Sequence, residues 1–499
     1  MSISRRNVLL GVGGAAVTAG VGGYALGRWQ DADPAPEPAA PAPKYRSRPD
    51  LRTLPDVTIT TAANGTVPGS IFLTPASGAG LWGPLIVDET GSPVWFKKVP
   101  APATVAIDLK AQRYRNKPVL TWWEGTIGGT GGQGVGQGEF VIADQSYREI
   151  TRVRAAGTEQ ADQHDLVITP QDTALFWVYD PIPYDLSTLG GPVDGVLHDG
   201  VLQEIDIATG KKLFEWRASD HVTLEESYAP RPVGESEHLP YDYFHANSVG
   251  LAADGSIIMS ARHTWAVYKI DRRSGAVRWR LGGKKSDFEV DERTRFSWQH
   301  DFRQRRDGSY GLFDNGAGVT KEKEFSRGLV FRVDETARKT TFVAEFLHPE
   351  RLSAPTQGSF RELADGGSFV GWGQMPHFTE HNPDGTVRLA GHLPLDNQSY
   401  RAYKAEWVGA PLDQPALGLR VEGGNVIVSA SWNGTTSVSR WRARWGTQPG
   451  ALAGGQIEQA RTGFETTLAV PGMPEYVVLE ALAADGKVLG VSSAIPVRV

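Results

Sequence analysis

The chain of 499 residues contains no cysteine. That single absence excludes disulfides, cysteine-ligated zinc, a thiol nucleophile and a lipoprotein anchor. Surplus positive charge is missing too: 51 Lys and Arg stand against 57 Asp and Glu, a formal charge of −6. Nothing is left over to neutralise phosphates, so nucleic acid is not an expected partner and small molecules are. Long helices are not expected either, because 58 Gly and 32 Pro interrupt the chain. With 40% hydrophobic residues and 15 Trp, this composition points to a globular protein of many short strands. The length exceeds one ordinary compact domain and fits a few domains or one large repeat-built domain.

The N-terminus holds a mild, Gly-rich apolar run from Val8 to Leu26, directly after Ser4-Arg5-Arg6-Asn7. This is a twin-arginine signal pattern over residues 1–28, and it predicts export of a folded protein to the periplasm, the cell surface or the outside. No Ala-x-Ala site follows, so cleavage and retention as an anchor both stay open, and the membrane is an expected partner only through this segment. Residues 29–50 form a linker, of which Asp31 to Pro43 reads as a semi-rigid Pro/Ala tether. The oligomeric state is not written in the sequence.

Repetition dominates the rest. Between Leu51 and Trp407 an alternating apolar strand, a turn carrying Asp or Gly, and a second strand often ending in Trp or Phe recur. The copies are LIVDETGSPVWF from Leu85, FVIADQSYREITRV from Phe140, QEIDIATGKKLFEW from Gln203, YKIDRRSGAVRWRL from Tyr268, VFRVDETARKTTF from Val330 and FTEHNPDGTVRL from Phe378. Their turn residues Asp88, Asp144, Asp206, Asp271, Asp334 and Asp384 lie 56, 62, 65, 63 and 50 apart, room for four strands and a loop. A preceding hairpin turns at Asn116, Asp172, Asp254, Asp307 or Asp365. The pattern predicts an all-β chain with a six-bladed β-propeller over residues 51–409, closed by the stretch near Ser70 to Thr74. Tandem β-sandwiches explain the period less well, because each unit is smaller than a sandwich. After Pro411 the rhythm changes to six or seven alternating strands, among them VIVSASW from Val426 and YVVLEALAADG from Tyr476. An immunoglobulin-like or fibronectin-III-like sandwich over residues 412–499 is expected there as an accessory module.

Counted back from the first-hairpin turns, Asp108, His164, His245, His300 and Gln357 lie 8, 8, 9, 7 and 8 residues upstream. Equivalent blades place them at one level, around the mouth of a channel. His245 and Asn247 share a strand face by the period of two. A two-residue turn at Asp254-Gly255 sets Asn247 opposite Arg262 and His245 opposite Thr264; the same rule at Asp307-Gly308 sets Asn315 opposite His300. Imidazole, amide and guanidinium together make an anion clamp of fixed donors. Asp165 and Asp301, each directly after a histidine, are expected on the other face, tying blades together. His198, His221, His238, His348 and His392 carry only a structural expectation. Trp298, with Trp122, Trp123 and Trp372, fits either an aromatic pocket or the core. The Gly-rich run from Gly125 to Gly138 lacks the strand-to-helix context of a phosphate loop and reads as a mobile loop over the site.

Taken together, His245 with Asn247, the SARHT segment carrying Arg262, WQHD from Trp298, PLIVDETGSPVWF from Pro84 and NQSYRAY from Asn397 resemble the bacterial arylsulfate sulfotransferase family over most of residues 51–409. The resemblance implies an exported enzyme that passes a sulfuryl group from a phenolic sulfate ester to another phenol, without the nucleotide sulfate donor and with no cofactor. It implies that His300 is the sulfated residue, that His245, Asn247 and Arg262 bind the sulfuryl group, and that His164 is the other active-site histidine. Thr356 falls where the family's site has a threonine, and Asn315, Gln357, Thr356 and Trp298 form the expected substrate-binding set. Two other readings of the residues remain open. One is a metal-dependent hydrolase or lyase with His164, His245 and His300 as ligands, a set typical of catalytic zinc; the other is a propeller that binds aromatic ligands without turnover.

Overall fold

A computed structural model describes residues 44–128, 134–157, 159–234 and 239–498. The twin-arginine pattern, the apolar run and the tether up to Pro43 lie outside the described residues, as do His238 and positions 129–133 of the Gly-rich run.

The described chain is built of antiparallel strands with a few 3₁₀ turns. Each of the six repeated Asp residues sits in a hairpin loop, and each carboxylate accepts from backbone N–H groups of its own turn, as Asp271 does from Arg273 and Ser274. This local competition for backbone donors is why Asp punctuates the strands. Along the chain the hairpins build successive meanders. The first runs Val105–Tyr114, Lys117–Ile127, Gly136–Ala143 and Glu149–Val153, and the second Ala161–Ile168, Thr173–Tyr184, Gly195–Asp206 and Lys212–Arg217, with a bridge from Gly138 to Ala161 joining the two. Separate four-stranded sheets follow over Ala246–Leu251 to Val277–Gly282 and over His300–Gln304 to Lys339–Phe346. The next sheet spans Ser359–Glu362 to Val387–His392 and gains the early strand Thr58–Thr61 at its edge. In a closing sheet, late strand Tyr403–Ala405 pairs with early strand Ser70–Leu73, which continues to Leu85–Val87 and Pro93–Phe96.

Buried aromatic and aliphatic side chains fill the space between neighbouring sheets; Trp279, Phe302, Tyr310 and Phe331 are one such cluster, each contributing about 1.5–3 kcal/mol relative to exposure. Trp122, Trp123, Trp298 and Trp372 are all fully buried. Where the first strands of the sheets meet, the packing is ionic instead. Asp165 receives Lys110 at 2.7 Å, Arg401 at 3.1 Å, Arg303, and the backbone N–H of Val249 at 3.0 Å. Asp301 contacts Arg303 at 3.1 Å and Arg361 at 2.8 Å and accepts from the N–H of Phe360 at 3.0 Å. Asp108 adds Lys110 at 2.6 Å and the Tyr403 hydroxyl at 2.6 Å. These partners come from six different sets of strands, so Asp165 and Asp301 do tie successive sheets to one another.

Beyond residue 411 two further sheets share one core. The first orders Ala416–Glu422, Asn425–Ser431 and Glu465–Val470; the second orders Gly455–Ala460, Arg440–Gly446, Tyr476–Leu482 and Val488–Val491, with Ile495–Pro496 also on Tyr476–Leu482. This part is held against the preceding sheets by Asn433, bonded to both backbone groups of Phe96, by Tyr147 donating to the carbonyl of Gly434 at 2.6 Å, and by Phe464, which joins the apolar cluster of Leu85 and Phe96. Among the described residues, no helix is long and apolar enough to cross a membrane.

Burial pushes the Asp165 carboxyl up, but Arg303, Lys110 and Arg401 outweigh it and hold it well below the carboxylate range. Asp165→Asn leaves three buried cations short of a partner, and a loss of about 3–5 kcal/mol is expected in urea unfolding. A carboxyl depressed on folding stabilises fully above its unfolded value of about 3.9 and loses that contribution only as the pH falls through the folded value. The difference between wild type and variant should therefore be constant from neutral pH down to about 4 and shrink in stronger acid. A variant as stable as wild type at pH 7 contradicts this account.

Candidate active site

The site is made by irregularities at the starts of the innermost strands. Between Ile107 and Lys110, between Ala246 and Ser248, and between His300 and Arg303 the pairing register slips, and residues 162–165 all stand opposite Trp177. Asp108, His245, Asp301 and Gln357 adopt left-handed backbone there, with φ of 62°, 49°, 56° and 67°. Such bulges re-aim side chains out of the regular alternation, and non-glycine residues hold this conformation only where their surroundings enforce it.

The bulges correct the sequence-derived register. The loops at Asp254-Gly255 and Asp307-Gly308 hold three residues rather than two, with Ala252 paired to Ser256 and Arg305 to Ser309. Strand partners then shift: the carbonyl of His245 accepts from the N–H of Arg262 at 2.9 Å, so His245 faces Arg262 rather than Thr264, while Asn247 falls in the bulge rather than opposite Arg262. His300 pairs with Phe313, not with Asn315. Asn315 reaches it nonetheless: His300 Nδ1 lies 2.7 Å from Asn315 Oδ1.

That contact sets the tautomer of His300. Asn315 Nδ2 donates to the carbonyls of Ala354 at 2.7 Å and Gln357 at 3.0 Å, which orients the amide and turns its oxygen to His300. Nδ1 therefore carries the proton and Nε2 keeps its lone pair. Burial, then the Arg262 guanidinium, holds this imidazole well below its ordinary value, against the amide's opposing pull, so it is neutral at pH 7.

Two more imidazoles are tied through Nδ1, both to carboxylates. His164 Nδ1 meets Asp162 Oδ1, and His245 Nδ1 meets Asp242 Oδ2. Each carboxylate also accepts the backbone N–H of its histidine at 3.0 Å. Burial pushes the Asp242 carboxyl up and His245 down. Ring centroids lie 4.8 Å apart for His164 and His245, 5.7 Å for His164 and Tyr400, and 6.3 Å for His300 and Tyr400, so Tyr400 adjoins His164 and His300, and His245 adjoins His164.

Arg262 borders them. It stacks over Trp298 at 4.8 Å, donates from Nη2 to the carbonyl of Pro355 at 3.1 Å and from Nη1 to His263 Nε2 at 2.9 Å. Burial draws it down to about 10, still protonated at neutral pH. Its Nε, the Tyr400 hydroxyl, Asn247 Oδ1 and Gln357 Oε1 are buried without a hydrogen-bond partner. Asn247 Nδ2 spends one of its two hydrogens on the carbonyl of Gln299 at 2.7 Å. Orphaned buried donors are costly; a guanidinium N–H and a tyrosine hydroxyl left open beside three imidazoles fit an anionic ligand with an oxygen-rich head.

The expected set is otherwise distributed as follows. His164, His245, Asn247, Arg262, His300 and Asn315 are brought together. Gln357 adjoins through its carbonyl on Asn315, and Thr356 lies beside it, bonded to Gln374 at 3.1 Å. Trp298 is buried under Arg262. Asp108 belongs to the ionic cluster. From the Gly-rich run, Gly136 N–H donates to Asp162 at 2.8 Å, and a Cβ at Gly134 would lie 4.0 Å from His245, so the described ends of that hairpin lean on the site. Turn spacing missed four residues: Asp162, Asp242, His263 and Tyr400. Asp162 was accessible through the period of two, since it shares the face of His164; Asp242, His263 and Tyr400 needed the tertiary structure.

A metal fits these donors poorly. Among the described residues, Asp242, His245 and His263 bring ligand atoms within 4.8 Å of one another. Yet His263 spends Nδ1 on the carbonyl of Asp242 and Nε2 on Arg262, and both Asp242 oxygens are taken by His245.

The family model described as arylsulfotransferase (ASST) matches residues 110–392, more than half of the chain. No curated protein matches. Solved structures similar to it include a protein of unknown function from Bacteroides caccae (11% identity, 68% of this chain and 99% of that one, TM-score 0.40). Others are a catalytically inactive virginiamycin B lyase from Staphylococcus aureus (9%, 80% and 97%, 0.32) and the periplasmic gluconolactonase PpgL of Pseudomonas aeruginosa (13%, 68% and 99%, 0.35). At these scores the three bear on neither the fold nor the reaction.

Because Arg262 disfavours the imidazolium of His300, Arg262→Gln is expected to raise the pKa of His300 towards its ordinary value. The rate at which diethyl pyrocarbonate modifies His300, followed by peptide mass against pH, reads this directly. An unchanged profile means that the guanidinium does not act on His300.

Proposed function

The chain belongs to the arylsulfotransferase family, and we propose that it moves a sulfuryl group from a phenolic sulfate ester to a phenol through a sulfohistidine at His300, independently of the nucleotide sulfate donor. The observation that carries the reading is the amide-locked, neutral His300, with Nε2 free, beside an unpartnered guanidinium N–H.

A sulfate monoester brings one negative charge, and as its S–O bond breaks, charge grows on the phenolic oxygen and spreads over the sulfuryl oxygens. Arg262 and Asn247 supply fixed donors to that group. His300 Nε2 forms the N–S bond while Nδ1–H stays on Asn315. A carboxylate-backed histidine gives its Nε2 proton to the departing phenolate, then accepts one from the incoming phenol as the second half-reaction returns His300. The same proposal takes residues 51–409 as a six-bladed propeller and residues 412–499 as an accessory sandwich, supported by the pairing of Tyr403–Ala405 with Ser70–Leu73 and by the separate apolar cluster of the last sheets.

Incubated with an aryl sulfate and no acceptor, the protein should release about one phenol per chain in a burst, and peptide mapping should place the acid-labile sulfuryl adduct on His300. His300→Ala should abolish both half-reactions, and Asn247→Ala or Arg262→Ala should each cost about 2.7–4 kcal/mol in kcat. An adduct on His164, His245 or a hydroxyl residue overturns the assignment of His300. Activity removed by chelator and restored by zinc favours the metal reading instead.

Export through the twin-arginine pathway, to the periplasm, cell surface or beyond, belongs to the same proposal and rests on Arg5 and Arg6. Replacing both by Lys should leave the activity in the cytoplasm, and undiminished export of that variant contradicts it.

A further inference from the structure

The three imidazoles differ in what holds Nδ1: a neutral amide for His300, and buried carboxylates for His164 and His245. An amide brings no charge to the ring and opposes the burial and the Arg262 guanidinium only in part, so His300 stays neutral, which suits a nucleophile. A carboxylate favours the doubly protonated ring, which suits a proton carrier. Of the two carboxylate-backed rings, His245 is joined to Arg262 by its carbonyl and lies 4.5 Å, centroid to centroid, from His263, which itself takes a guanidinium hydrogen. Burial first, then His164 and the Arg262 guanidinium, work against a proton on His245. His164 adjoins Asp162, Tyr179, Tyr400 and His245, and among the described residues no guanidinium is bonded to it.

We infer that Asp162 is a positioning residue that makes His164 the proton carrier of the transfer, with the N–H of Gly136 holding its carboxylate in place. This rests on the proposed sulfuryl transfer. In the donor half-reaction His164 enters with protons on both nitrogens, Nδ1–H on Asp162 and Nε2–H towards the ester oxygen. The S–O bond breaks, the N–S bond forms at His300 Nε2, and the Nε2 proton of His164 passes to the phenolate. His164 is left neutral, with Nδ1–H still on Asp162, and its free Nε2 takes the proton of the acceptor phenol in the reverse sense. Gly136 N–H meets the second Asp162 oxygen at 2.8 Å, so the glycine hairpin acts on the proton carrier as well as leaning on the site. A Cβ at Gly136 would strike the Gln163 side chain and Trp123, so glycine is required there for that approach.

The test is the dependence of the burst rate on the leaving group. For Asp162→Asn, donors that release an acidic nitrophenol need little protonation and should slow by less than about tenfold, whereas phenyl sulfate should slow by about 100-fold or more. His164→Gln should show the same steepening, and the double variant should be no slower than the worse single one. Asp162→Glu keeps the charge, displaced by one methylene, and serves if the asparagine variant does not fold; it should show a smaller steepening. Equal losses for all leaving groups, or a wild-type slope in a folded Asp162 variant, overturn the role of Asp162. Absence of any burst in wild type would instead remove the sulfuryl-transfer reading on which it rests.

Discussion

The structure depends on a buried carboxylate that several sheets share. Asp165 takes Lys110, Arg303 and Arg401 from three separate stretches of chain and a backbone N–H from a fourth, all out of solvent. Charges buried in this way are tolerated only when each is matched. The matching here constrains the innermost strands to one mutual position, because displacing any sheet leaves a cation or a carboxylate unpaired. Apolar contacts between sheets permit sliding at small cost; a closed set of ion pairs does not. Arg401 also donates to the carbonyl of Asn247 at 2.6 Å, which carries this constraint into the site.

On that base the histidines are differentiated by their neighbours. All three are buried, yet each meets a different electrostatic field, since a carboxylate favours an imidazolium strongly, an amide oxygen only weakly, and a guanidinium opposes it. One kind of side chain thereby serves as nucleophile, proton carrier and sulfuryl-binding group in the proposed reaction. The unpartnered polar atoms beside them are consistent with a site whose last hydrogen bonds come from its substrate.

Much of the architecture was legible because it is local. The Asp residues at the repeated turns compete for backbone donors within three or four residues, and they mark hairpins in both sequence and structure. His164, His245 and His300 were singled out by counting back from a second set of turns, at Asp172, Asp254 and Asp307. The register did not follow from that counting, because three-residue loops and bulges leave no reliable trace in the alternation of apolar residues. Asn315 was reached by a rule that gave the wrong strand partner, and it contacts His300 because the bulge turns the imidazole towards it.

What the amino-acid sequence determined by itself was the strand repertoire, the turn positions, the candidate histidines and the resemblance to a family, all properties of short segments. What only the tertiary structure decided was the partner of each imidazole and the charged groups that meet between the sheets. Asp165 and Arg401 are 236 residues apart. Asn315 is oriented by carbonyls 39 and 42 residues away. Tautomer and charge state follow from these distant contacts, because the proton on an imidazole is set by whatever atom packs against it, and no local pattern encodes that.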